Sequence, residues 1–260
     1  MTQDTFSTAA PEPTPAPETA SPQPNLQRMR KRRRQRRLSA LVLVFMLLTF
    51  LCYIGVFGGN VRTVDPGKVY RSAQLTGNRY DGVSARLIGN SLDSVLDSHH
   101  IKTVLNLRGG SKSDLYYHDE IQICTDHQVA HVDAPFSARH LPSPDALHKI
   151  LDTFDHADYP VLIHCQAGSD RTGLASVLYA HLYEHEPLDQ AIAEELTWRY
   201  GHFRVSNTRK MDEFFDLYKQ TGHGQGLREW INTDYPALYV VREPEEAKLQ
   251  EKETHTTIPH

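Results

Sequence analysis

The chain has 260 residues, 28 Lys and Arg against 32 Asp and Glu, and three cysteines, Cys52, Cys124 and Cys165. Eight basic residues fall within residues 28–37, which leaves 20 basic against 29 acidic residues from Leu38 onward. That length gives one ordinary domain with tails; the acidic domain speaks against a nucleic-acid partner, and the cysteine count against a disulfide framework.

In chain order, residues 1–27 carry six prolines and almost no large apolar side chains. Such a segment buries too little surface to offset its ordering entropy. Residues 1–37 are therefore predicted to be a disordered Pro-rich and basic segment. Residues 38–57, LSALVLVFMLLTFLCYIGVF, carry no charge. About 20 such residues match the hydrocarbon thickness of a bilayer, so one transmembrane helix is predicted there. The basic run ahead of it would lie in the cytoplasm. The rest of the chain would then be extracytoplasmic, in the periplasm, anchored to the cell membrane.

The folded domain is predicted over residues 60–240. A strand is read at 69–74 with a turn at 76–78. A helix over 83–99 follows, with Ile88, Leu92, Val95 and Leu96 on one face. Residues 101–107 form a buried strand, 114–127 a helix and 129–136 another strand. Ser143 and Pro144 mark a helix start, as cap and first position; Leu147, Ile150, Leu151 and Phe154 form its core stripe. A short apolar strand ends at Ile163. Helical patterns cover 172–184, 188–200 and 207–221. Leu227, Trp230, Ile231, Tyr235 and Leu238 then dock back, and residues 241–260 form a disordered tail. Strands alternating with helices give an α/β fold class, a mostly parallel central sheet flanked by helices, preceded by one transmembrane helix.

The chain is organised around His164-Cys165-Gln166-Ala167-Gly168-Ser169-Asp170-Arg171-Thr172-Gly173. Strand, tight loop and helix start aim several backbone N–H groups at one spot, which favours an anion. Five residues separate Cys165 from Arg171, enough to wrap a phosphate with amides while the arginine fork holds two of its oxygens. Gly168 lets the chain turn, Thr172 places a hydroxyl beside the sulfur, and Gly173 lets the helix begin close to the sheet. Arg71, Asn106 and Arg108 sit near strand ends, where they either brace the loop or serve as ordinary strand-end polar groups. Cys124 is the other thiol that could pair with Cys165.

HCQAGSDRTG closely resembles the signature of the cysteine-dependent protein-tyrosine and dual-specificity phosphatase superfamily, His-Cys-x5-Arg-Ser/Thr-Gly. The resemblance covers roughly residues 65–220. The Asp-Arg-Thr ending is similar to that of atypical bacterial tyrosine and lipid phosphatases, and YRSAQ followed by a strand ending NLR is similar to small atypical dual-specificity enzymes. The resemblance implies that Cys165 is a nucleophile forming a phosphocysteine intermediate. Arg171 would bind the phosphate with the loop residues Gln166, Ala167, Gly168, Ser169 and Gly173. His164 would orient the loop, and Thr172 would stabilise the departing thiolate. No metal or other cofactor is implied. The general acid of such enzymes is an Asp about thirty residues before the cysteine, which makes Asp133 a candidate. Asp170, inside the loop, is the second, and Asp145 a third whose place in a first helical turn suits a dipole role.

The function expected is hydrolysis of phosphomonoesters of the phosphotyrosine or dual-specificity type, on a protein, small-molecule or lipid substrate. The alternatives are a phosphatase of a lipid, sugar or other envelope phosphate, or a phosphate-binding pseudophosphatase. Sulfur transfer and arsenate reduction fit less well, because the loop ends Arg-Thr-Gly and only Cys124 could resolve a disulfide. Gln166, Ala167 and Ser169 add no charge to the loop, which disfavours a heavily phosphorylated inositol lipid.

Overall fold

The computed structural model describes the backbone of residues 26–57 and, in full, residues 33–49, 59–75, 91–111, 113–204 and 207–244. The expectations for residues 1–25, for the turn at 76–78, for the first part of the 83–99 helix and for 245–260 lie outside the described residues. The chain divides into two compact units, Met1–Thr49 and Phe50–His260.

The first long element, α1 (Leu26–Phe57), runs through the basic stretch without a break. Arg, Lys, Gln and Leu are all good helix formers, so residues 28–37 join the helix rather than the coil expected of them. Among the described residues no helix is long and apolar enough to cross a membrane. The predicted transmembrane helix over 38–57, and the membrane partner with it, are corrected accordingly. The apolar residues 38–57 form the second part of α1. Arg33, Arg34, Arg36 and Arg37 precede them on the same helix.

The second unit is built on a five-stranded sheet of order β1-β2-β5-β3-β4. The strands are β1 (Arg62–Asp65), β2 (Val69–Ser72), β3 (Thr103–Asn106), β4 (Ala130–Asp133) and β5 (Val161–His164). Within this sheet β1 runs antiparallel to its neighbour, and the other pairings are parallel. The α/β, mostly parallel sheet is thus as the sequence implies. β5 lies between β2 and β3 and all four of its residues are buried. Its Val-Leu-Ile run suits a strand covered on both faces.

Side chains alternate across the strands and divide the core. Val104 and Leu162 face α2 (Leu92–Ser98) and α3 (Leu115–Asp126), packing with Leu92, Val95, Leu96, Ile123 and Cys124. Leu105, Ile163 and Cys165 belong to the other, larger cluster. That cluster is covered by α4 (Pro144–His156), α5 (Asp170–Leu182), α6 (Leu188–Glu195) and α7 (Lys210–Thr221). Cys124 and Cys165 therefore lie in different layers; both are free, and burial pushes the Cys124 thiol up to about 12.

Ser143 Oγ accepts from Ala146 N at 3.2 Å and Pro144 opens α4, as its sequence implies. The expected helix over 188–200 stops at Glu195, where Leu196 leaves helical geometry (φ −107°, ψ 67°). A 3-10 turn, Trp198–Tyr200, follows. α8 (Leu227–Thr233) and α9 (Tyr235–Arg242) dock back, with Trp230 and Tyr235 buried against Phe214 at ring distances of 5.6 and 5.1 Å. The fold runs past residue 240: Glu243 is buried and accepts from Leu141 N at 3.2 Å.

Candidate active site

β5 ends at His164 and α5 begins at Asp170, so residues 165–169 form the loop between a buried strand and a helix N-terminus. The first amides of a helix have no partner inside it. What sets the direction of the loop's own amides is the capture of its carbonyls from outside. Asn60 Nδ2 donates to the carbonyls of Ala167 (3.2 Å) and Gly168 (3.1 Å). Arg71 Nη2 donates to Gly168 O at 3.0 Å, and Gln74 N to Gln166 O at 3.2 Å. With carbonyls turned outward, the N–H groups turn inward, a concave nest for an anion.

Arg71 is wholly buried and its other terminal nitrogen donates to Glu195, at 2.7 Å to the carbonyl and 2.6 Å to Oε2. Its guanidinium also lies 4.2 Å from the centre of the Tyr200 ring. Arg71 and Asn106 are thus braces rather than idle strand-end groups. Asn106 Oδ1 accepts from the amides of Arg108 and Gly109 at 2.8 and 3.0 Å, shaping the exit from β3. Arg108 stacks on Tyr116, 3.5 Å from the ring centre.

Gly168 has φ +69°, and a Cβ there would stand 2.5 Å from Ala73 N and 2.6 Å from Ser72 C. The loop touches the backbone after β2, so only glycine fits. Gly168→Ala is expected to lower kcat/KM by on the order of 10²-fold through misplacement of the loop and to destabilise by about 1–3 kcal/mol. The control is Gly224→Ala, where φ is +87° but nothing lies within 4 Å; it should cost strain alone. Aryl phosphatase assays with melting curves check both. Gly173 also makes room for a neighbouring element. A Cβ there would meet Leu196 Cδ1 at 2.7 Å and Glu195 O at 3.0 Å, so this glycine admits the end of α6.

Cys165 is buried. Burial alone raises a thiol, but the Arg171 charge, the Thr172 hydroxyl and the amides of Thr172 and Gly168 outweigh it and hold Cys165 below its ordinary value. Arg171 Nη1 donates to the carbonyls of Leu107 and Phe136, both at 3.1 Å, which ties it to the exits of β3 and β4. Among the described residues its buried Nε has no partner. A buried donor left unpaired is costly, and a phosphate oxygen is the acceptor this geometry suits. Gln166 points to solvent and Ala167 is half-buried. Ser169 Oγ donates to Asp170 Oδ2 at 3.2 Å.

His164 is held between Glu120 and the loop backbone. Its Nε2 donates to Glu120 Oε1 at 3.0 Å and its Nδ1 reaches Cys165 O at 3.5 Å. Burial disfavours the imidazolium, yet the Glu120 carboxylate wins and raises the His164 pKa. Glu120 is itself buried. The charge of His164 and bonds from His131 and His164 overcome that burial and hold it well below the usual carboxylate range. His131 Nε2 lies 2.7 Å from the same oxygen, and Gln74 Nε2 bonds the other.

Of the candidate acids, Asp133 pairs in register with Asn106, which pairs with His164. It accepts from Asn106 Nδ2 at 3.0 Å and from the Tyr117 hydroxyl. Asp170 accepts from His202 Nδ1 and from Thr208 Oγ1, both at 2.7 Å. Burial opposes its charge, but His202, Thr208 and Ser169 prevail and lower its pKa. Asp145 is exposed in the first turn of α4, away from the loop.

Asn60, Glu120, Glu195 and His202 escape sequence reasoning. Each lies far along the chain from the loop, and only Asn60, just before the first strand, carries a local hint.

Taken together, these features define a loop of cysteine and arginine, shaped for an anion, at the carboxyl ends of the sheet's parallel strands. The sequence profile of the tyrosine phosphatase family matches residues 55–197. The chain belongs to that family and is a protein-tyrosine phosphatase-like hydrolase acting on a phosphorylated substrate. No curated protein sequence matches it. Among solved structures it is similar to a Cys-to-Ser form of TpbA of P. aeruginosa in complex with pTyr, at 20% identity over 59% of this chain and 86% of that one, TM-score 0.43. A second is a putative phosphatase from Shewanella putrefaciens CN-32, at 19% identity over 64% and 98%, TM-score 0.43. The core catalytic domain of the PP-IP phosphatase SIW14 from S. cerevisiae is a third, at 17% identity over 64% and 94%, TM-score 0.43.

Proposed function

We propose that the chain hydrolyses phosphomonoesters through a phosphocysteine intermediate on Cys165. The observation that carries this reading is the lowered Cys165 thiol set among inward amides, beside a buried Arg171 Nε that has no partner among the described residues. The thiolate attacks phosphorus, the ester oxygen leaves with a proton, and water then attacks the phosphocysteine to release phosphate. Arg171 and the loop amides stabilise the charge on the equatorial oxygens. Thr172 receives the thiolate as it departs. Turnover of p-nitrophenyl phosphate by the full chain, inhibited competitively by vanadate, supports the reading; binding of vanadate without turnover contradicts it and favours a phosphate-binding pseudophosphatase.

The leaving oxygen needs a proton, and Asp133 and Asp170 are the carboxyl groups proposed for it. Asp170 is held ionised by three donors, one of them a charged imidazole. Asp133→Asn is therefore expected to slow alkyl phosphates by about 10²–10⁴-fold, with a far smaller effect on p-nitrophenyl phosphate. Asp170→Asn should slow both equally. The reverse pattern across a leaving-group series assigns the proton to Asp170.

A further inference from the structure

His202 lies beyond the 3-10 turn and is buried. Its two ring nitrogens meet two carboxylates: Nδ1 stands 2.7 Å from Asp170 Oδ1 and Nε2 stands 2.8 Å from Asp212 Oδ2. Asp170 is the residue before Arg171 and the first of α5. Asp212 is buried in the first turn of α7. An imidazole with acceptors at both nitrogens must donate from both, so it is held as a cation.

Other groups also face this unit. Ser169 and Thr208 donate to Asp170. Arg204 Nε lies 3.9 Å from Asp212 Oδ1, with its terminal nitrogen on Asp216. A cavity of about 270 Å³ is lined by Arg204, Arg209, Asp212, Glu213 and Asp216.

We propose that His202 is a positioning residue for the phosphate loop: its imidazolium fixes the Asp170 carboxylate beside Arg171, and loss of its proton in alkaline solution loosens the loop and weakens phosphate binding. The proposal rests on the phosphatase reading only for its kinetic readout. Neutral His202 leaves two carboxylates facing one another without a cation between them. Asp170 then turns away from the imidazole, and its charge, no longer balanced, opposes the incoming anion.

The direction of the pH effect follows from the proton. Burial opposes the cation, but Asp170 and Asp212 together raise the His202 pKa from 6.5 to about 9. A group whose pKa is raised on folding stabilises the fold fully below its unfolded value and loses that contribution as pH rises through the folded one. The loop is thus held firmly at neutral pH and released through about pH 9.

The test uses the full chain and two variants, His202→Gln and Asp212→Asn. In the parent, KM for p-nitrophenyl phosphate should rise on the alkaline side while kcat changes less. His202→Gln should raise KM by on the order of 10- to 100-fold at neutral pH and abolish the alkaline rise. Asp212→Asn removes one of the two anions and should move the rise to lower pH. A KM profile unchanged in both variants overturns the proposal. NMR titration of the imidazole keeps this outcome apart from failure of the phosphatase reading. If the parent never turns over, an imidazole titrating near the ordinary 6.5 still overturns the proposal, and one titrating well above it supports the ion triad.

Discussion

Cys165→Ser is expected to remove turnover, by on the order of 10⁴-fold or more for a lost nucleophile, while vanadate and inorganic phosphate still bind. The reason is the difference between a thiol and a hydroxyl in one field. Arg171, Thr172 and the amides of Thr172 and Gly168 lower the thiol from an ordinary 9.0 against the cost of its burial. The same field acts on a serine hydroxyl that starts far higher, and it leaves that hydroxyl protonated. Sulfur and oxygen differ little in size, so the substitution leaves the packing of the loop intact. The ring of donors that holds phosphate is therefore unchanged, and binding measured by calorimetry separates loss of chemistry from loss of fold. A serine variant that retained turnover would show that the nucleophile lies elsewhere.

Arg71→Met should have the largest effect on stability. Arg71, wholly buried, and Glu195, largely so, form a pair at 2.6 Å. Burial is the leading influence on both partners: it lowers the Arg71 pKa and raises that of Glu195, each against the attraction of the other. Removing one partner of such a pair leaves an uncompensated buried charge and costs about 3–5 kcal/mol. For a domain of this size, that is a fall in Tm of roughly 6–20 °C. The variant also removes the Arg71 donor from Gly168 O and Ser169 O, leaving Asn60 alone on the former, so activity should fall more than stability alone explains. Arg71→Met with Glu195→Leu tells the two apart. An apolar pair of similar volume is often neutral or better than the ion pair, so the double variant should recover much of the Tm. It should not recover activity, because the loop carbonyls remain without Arg71. Recovery of both would mean that Arg71 serves the fold and not the loop.

The loop itself was legible because its chemistry is local. Cysteine, five residues, arginine and a helix start fall within one decade of sequence, and geometry follows from spacing. The cap at Ser143 and Pro144 and the two-faced apolar strands were equally plain, since short-range rules decide them. The supports of the loop were not. Glu120 sits among polar residues of α3 and reads like any exposed helical glutamate until the fold brings His131 and His164 to it. Arg71 was visible as a strand-end arginine, but its partner Glu195 lies 124 residues further on, at the end of a helix predicted to run on to Tyr200. The break at Leu196 turns Tyr200 and His202 toward the loop, and no glycine or proline announces it. β1 was missed because Arg-Thr-Val-Asp is a polar edge strand with only Asp65 buried. The apolar run at 38–57 misled for the opposite reason. Its uncharged length suggested a span, whereas among the described residues no helix is long and apolar enough to cross a membrane.

The most direct test of the account is to trap the intermediate. The full chain is mixed with p-nitrophenyl phosphate, quenched in acid within the first turnovers, digested and sequenced by mass spectrometry. The expected result is one phosphoryl group on the peptide containing Cys165, appearing with the first burst of nitrophenol and absent from Cys165→Ser. Steady turnover with no phosphate on Cys165, or with phosphate on another side chain, would contradict it.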